Sequence, residues 1–177
     1  MHHCDQLVDI FNQAFSDGYN TRLVKGGKEP EYLPADDDCH YHRIIFTRDY
    51  FASALHEIAH WCIAGEQRRQ QHDYGYWYAP DGRNIQQQQQ FEQVEVKPQA
   101  LEWLFSTAAK TPFRVSADNL DSALGASDTF KASIVEQVHH YCEQGMGERP
   151  AKFIQALSVF YQADEVYETQ QYRLSCL

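Results

Sequence analysis

The 177-residue chain has no surplus of positive charge, no paired cysteine motif, no long apolar run and no glycine-rich nucleotide loop. Each absence excludes a class of protein. Lys and Arg number 15 against 25 Asp and Glu, a net charge of −10 with a pI near 5.3, the wrong sign for gripping a phosphate backbone. Direct nucleic-acid binding is not expected, and a cationic substrate is electrostatically welcome. The five cysteines, Cys4, Cys39, Cys62, Cys142 and Cys176, are widely spaced and form no CxxC pair, so neither a disulfide framework nor a structural zinc site is expected. Polar residues interrupt every apolar stretch well before bilayer length, and no basic-then-apolar leader opens the chain. A soluble, cytoplasmic protein without a membrane partner is the expectation. Without a GxGxxG element, a built-in nicotinamide or flavin site is not indicated.

A hydrophobic share of 43% over this length is enough for one compact domain spanning residues 1–177. Leu7, Ile10, Phe11, Ala14 and Phe15 follow helical spacing and predict an amphipathic helix from about Asp5 to Phe15. Residues 17–38 read as surface loop with short edge strands such as TRLV, and HRIIFT, His42 to Thr47, as a strand. The segment RDYFASALHEIAHWCIAG predicts a helix with Tyr50, Phe51, Ala54, Leu55, Ile58 and Ile63 on its apolar face and Gly65 as its stop. DYGYWYAPDGR, with Tyr74, Tyr76 and Tyr78 in alternation, predicts a strand running into a Pro-Asp-Gly turn. Gln86 to Gln90 read as solvated helix, and Pro98 as the start of a further helix carrying Ala100, Leu101, Leu104, Phe105 and Ala108. The last third reads as helical throughout: one helix capped by Ser127 and stopped near Gly145, another opened by Pro150 and carrying Phe153, Leu157 and Phe160. The expected fold is α+β, mainly helical around a small sheet.

Within the first long helix lies HEIAHW, His56 to Trp61. Histidines four apart on a helix project from one face and can each give a ring nitrogen to one ion, while Glu57 can reach a bound water. Chance occurrence of HExxH at this composition is about 3 per cent, so two unrelated core histidines are the weaker explanation. A third protein ligand is needed, and a carboxylate offsets the charge of a divalent ion. Glu66, Glu92, Glu95 and Glu102 are the downstream candidates. Glu95 is the first choice and Glu102 the second; seven apart, they share a face only if the helix runs unbroken through Pro98. Asp36 to Asp38 read as a solvated loop, Cys39, His40 and His42 as a weak cluster, and His139 and His140 as a pair with one ring at the core edge and one in water.

Two histidines and a carboxylate serve two chemistries. Around zinc with a bound water and Glu57 as base they hydrolyse peptides; on one face of ferrous iron they leave room for dioxygen. A third reading is a non-catalytic metal staple between helices. HRIIFTRDYFASALHEIAHWCIAG, DYGYWYAPDGR and FEQVEVKPQALEWLF resemble the bacterial elongation factor P hydroxylase family, densely over residues 40 to 105. The resemblance implies a zincin-like scaffold and an Fe(II)- and O2-dependent hydroxylase, with zinc or another divalent ion possible in purified protein. Its implied substrate is elongation factor P carrying a β-lysylated lysine. His56, His60 and Glu95 would then hold the metal, and Glu57 would handle protons rather than activate a hydrolytic water. The extended, multiply charged side chain would suit a wall of Tyr74, Tyr76, Trp77, Tyr78 and Asp81, through charge and cation–π contacts. Core packing is an equally good explanation of those aromatics.

Overall fold

The computed structural model describes residues 2–47, 50–75, 84–116 and 126–177. Among the described residues there are five α-helices and a three-stranded sheet, an α+β arrangement of mainly helical content in which the first two helices pack on the sheet and the other three on helices. Helix α1 (Cys4–Tyr19) leads into β1 (Thr21–Gly27), β2 (Glu31–Leu33) and β3 (His42–Thr47), followed by α2 (Phe51–Ile63). After two short 3-10 turns come α3 (Ile85–Ala108), α4 (Asp128–Gln144) and α5 (Glu148–Tyr161). Strand β3 is central, parallel to β1 on one side and antiparallel to β2 on the other. Its alternation buries Ile44 and Phe46, and it runs directly toward α2, so the sheet sets the origin of the HExxH helix. None of the described helices is long and apolar enough to cross a membrane.

Strand β3 and the Ser127 cap and Gly145 stop of α4 stand where sequence places them. Helix α1 runs on to Tyr19, ending at Asn20 in the left-handed region, φ 47. The largest correction concerns Pro98, which lies inside α3 and does not begin a helix. The helix starts at Asn84, whose side chain accepts from Gln87 N–H while the Gln87 side chain accepts from Asn84 N–H. Proline removes one donor and crowds the carbonyl four residues before it, and the burial of nearly every residue from Pro98 to Ala108 against neighbouring helices outweighs that cost. Pro150 lies in the first turn of α5, which opens at Glu148.

Tyr74 is not in a strand. It closes a 3-10 turn in which Asp73 and Tyr74 both have positive φ, 46 and 58, held by Asp73 accepting from Tyr32 N–H and by the Tyr32–Tyr74 ring stack at 4.3 Å. Tyr50, Ile63 and Phe160 are exposed, because the buried stripes of α2 and α5 run through Ala54, Leu55, Ile58 and Trp61 and through Phe153 and Leu157. Beyond Tyr161 the chain leaves helical geometry at Gln162 and Glu165, both with positive φ, and continues with two 3-10 turns. Buried Tyr172 anchors that segment, donating its hydroxyl to the Val166 carbonyl and accepting at its own carbonyl from His139. His140 is exposed, so the histidine pair divides as expected.

His42, first residue of β3, accepts the Ala35 N–H at Nδ1, 3.0 Å. Burial, with the Arg69 charge nearby, pushes its pKa down. A depressed histidine pKa means the unfolded chain binds the extra proton, so this stability is present above the unfolded value and lost as pH falls through the folded one. Urea midpoints at about pH 7.5 and about pH 5.5 are expected to fall further for the wild type than for His42→Gln, which keeps an acceptor but does not titrate. Equal falls would remove His42 from the account.

Candidate metal centre

Helix α2 is buried or half-buried nearly all round; His56, Glu57 and His60 occupy the side that meets α3. Because α3 continues through Pro98, Glu95, Gln99 and Glu102 lie on one face, spaced by four and three residues, and all three are buried. His56 Nε2 and His60 Nε2 are 3.1 Å apart. Glu95 Oε1 lies 3.2 Å from His60 Nε2 and its Oε2 lies 3.5 Å from His56 Nε2. Among the described residues this is the one group of three metal-capable side chains, with donor atoms within 4.8 Å of one another.

Ligands about 2.1 Å from one ion, at right-angled to tetrahedral angles, sit about 3.0–3.4 Å apart, so the three residues fit a common cation. Three carboxylates, Glu57, Glu95 and Glu102, cluster about two imidazoles in a largely dry setting, a charge balance that a divalent ion improves. The imidazoles keep 24% and 18% of their side-chain surface exposed against 2% for Glu95, so the cluster is open on the histidine side. A purely structural metal site is closed, whereas the exposure on the histidine side would leave a cation held here an approach for a further ligand.

Glu102, the second-choice ligand, accepts from His56 Nδ1 at 2.8 Å. In the neutral ring that bond puts the proton on Nδ1 and leaves the Nε2 lone pair facing Glu95 and His60, a fixed tautomer that suits metal ligation. In the metal-free protein burial works against a charged His56, but the Glu102 hydrogen bond and the charges of Glu95, Glu102 and Glu57 outweigh it and push the ring up to about 10. An incoming cation therefore has a proton to displace. Burial would raise Glu95, yet His60 and His56 hold it down at about 2. Burial pushes the Glu57 carboxyl up against the pull of His56 and His60, with Glu95 and Asp73 adding to the rise.

Of the other candidates, Glu92 accepts from Ser127 Oγ and N–H, 2.7 and 3.3 Å, and steadies the start of α4, while Glu66 is exposed beyond the end of α2. Asp36 receives the N–H groups of Asp38 and Cys39 and pairs with Arg43, which is turn-building. Tyr74 is buried, its hydroxyl has no hydrogen-bond partner among the described residues, and burial followed by the Glu57 charge keeps its pKa well above the usual value. Tyr76, Trp77, Tyr78 and Asp81 lie outside the described residues. The residue that sequence reading missed is Gln99, which donates to Glu95 Oε2 at 3.3 Å. Its position four after Glu95 was the available signal, hidden by the expectation of a break at Pro98.

The fold and the cluster define a class, a small α+β protein with a His-His-Glu centre on crossing helices. Residues 10–172 match the sequence profile of the family described as elongation factor P hydroxylase. A protein of Haemophilus influenzae named elongation factor P lysine hydroxylase is 48% identical over 176 residues, covering 99% of each of the two sequences. The chain belongs to the elongation factor P hydroxylase family and is an enzyme.

Proposed function

We propose that this protein is a single-domain, cytoplasmic, Fe(II)- and O2-dependent hydroxylase acting on the β-lysylated lysine of elongation factor P, built on a zincin-like arrangement of the HExxH helix. The observation that carries the reading is the convergence of His56, His60 and Glu95, open on one side, in a member of this family. A ferrous ion held by these residues would supply the activation of dioxygen for insertion of one oxygen atom into a C–H bond of the modified lysine. The second oxygen atom leaves as water, taking two protons and two electrons from an external reductant.

The protein's own residues prepare that step. Glu102 keeps the His56 proton on Nδ1, and Glu95 brings the negative charge that holds a divalent ion. Glu57, beside His56 and with its carboxyl pushed up by burial, offers a proton site next to the reacting position. The three carboxylates and the net charge of −10 draw in a long ammonium-bearing side chain. Tyr74, with its hydroxyl near the Glu57 field, and the following Tyr76, Trp77, Tyr78 and Asp81 are proposed to line its approach. The zinc peptidase reading needs Glu57 as a hydrolytic base, and family membership speaks against it.

The test is the intact mass of β-lysylated elongation factor P after the protein is loaded anaerobically with ferrous ion, supplied with a reductant and exposed to air. A gain of about 16 Da, lost without iron and lost in His56→Ala, is the expected result. No gain with any reductant, together with cleavage of a peptide library by the zinc-loaded protein, would replace this reading with the peptidase.

A further inference from the structure

After α3 the chain reverses at Lys110, whose φ is 53, and Thr111 N–H donates to the Ser106 carbonyl at 2.9 Å. Residues 111–116 then run back along the helix they have just left. Phe113 stacks on Trp103, rings 5.4 Å apart and 16° from parallel, and Ser116 meets Gln99. Positions 106, 103 and 99 descend one face of α3 by steps of three and four, and burial alternates along the strap, with Thr111, Phe113 and Val115 turned inward. Ser116 thus lies beside a residue one helical turn from Glu95, the carboxylate of the metal centre.

Gln99 is 1% exposed, and both N–H groups and the oxygen of its amide are engaged. The two N–H groups go to Glu95 Oε2, 3.3 Å, and to the Ser116 carbonyl, 2.8 Å, while the oxygen accepts the Ser116 N–H at 3.1 Å. Reversing the amide would set its oxygen against both a carboxylate and a carbonyl, so the network admits one orientation. One side chain therefore grips the backbone of the strap from both sides and the anionic ligand at once.

We infer that Gln99 is a positioning residue that couples metal ligation by Glu95 to the order of the strap at residues 111–116. The inference rests on His56, His60 and Glu95 holding the metal. A cation fixes the Glu95 rotamer, a fixed Glu95 fixes the Gln99 amide, and that amide holds Ser116. Coupling of binding free energies is reciprocal, so loosening the strap must weaken the metal.

Cobalt(II) added to the full-length protein is the probe, since its visible bands report the ligand field and titrate occupancy. In the wild type, cobalt is expected to slow amide hydrogen exchange across residues 111–116. In Gln99→Met, cobalt is expected to bind about tenfold more weakly and the slowing to disappear. Phe113→Ala, which touches no ligand, is expected to lower cobalt affinity in the wild-type background and to have no further effect on it in Gln99→Met. Wild-type affinity in both variants, or strap protection by cobalt that persists without Gln99, overturns the coupling while leaving the metal site standing. A wild-type protein that binds no cobalt overturns the metal reading and the coupling together. Should Gln99→Met fail to fold, Phe113→Ala decides alone, and unchanged cobalt affinity there overturns the coupling.

Discussion

Glu95→Gln is expected to abolish metal retention and hydroxylation, while Glu102→Gln is expected to weaken metal binding by only about ten- to a hundredfold. Both substitutions keep the shape of a buried side chain and remove its charge. At position 95 one of the two oxygens that lie 3.2 and 3.5 Å from the imidazoles becomes an NH2 group and the charge is lost, so the ion keeps at most a neutral amide oxygen beside the histidines and no charge balance. The expected loss of affinity is about three orders of magnitude. At position 102 the carboxylate bonds the nitrogen of His56 that faces away from Glu95 and His60, 2.8 Å. An amide oxygen can still accept that N–H, more weakly, and the ring keeps its tautomer. Metal content after dialysis and single-turnover hydroxylation would separate the two, and the reverse ranking would exchange the roles of the two glutamates.

Removal of Arg149 is expected to have the largest effect on stability. Helix α2 ends at Ile63 without a glycine turn, and its last carbonyls need partners. Arg149, in the first turn of α5, donates to the Trp61 carbonyl at 2.6 Å and to the Ala64 carbonyl at 2.7 Å. Its guanidinium also lies 4.8 Å from the Trp61 ring, the centre of an aromatic cluster with Phe11, Phe15 and Tyr19. Arg69 also donates to the Ala64 carbonyl, 2.8 Å, so two cations meet the negative end of the helix dipole.

Arg149→Ala forfeits two charge-assisted bonds and a cation–π contact, together about 2–4 kcal/mol. In a protein of this length that lowers Tm by about 5–15 °C. Arg149→Lys is expected to recover only part of it, since an ammonium lacks the planar fork that spans both carbonyls. Calorimetry of the metal-loaded and metal-free forms would check this. A Tm within a degree or so of wild type would mean that solvent caps α2 equally well.

The pairing of His56 with His60 was legible without any structure, because the four-residue spacing of HExxH carries its own geometry on any helix. Strand β3 and the Ser127 cap were equally local, the one an alternation of apolar side chains and the other a hydroxyl at a helix start. The reach of α3 through Pro98 was not. Local preference argued for a break there, and only the burial of the helix between α2, α4 and α5 outweighed it. With that continuity came the stacking of Glu95, Gln99 and Glu102 on one face.

Residue order alone therefore settles the helix that carries the two histidines, the acidic character that favours a cationic substrate and the family to which the protein belongs. Tertiary packing assigns the division of labour between the carboxylates: Glu95 opposite both Nε2 atoms, Glu102 behind Nδ1, and Glu92 spent on capping α4. Spacing along a helix fixes which side chains share a face, but which of them meets a given atom depends on how two helices cross, and that is set by packing between residues far apart in the chain.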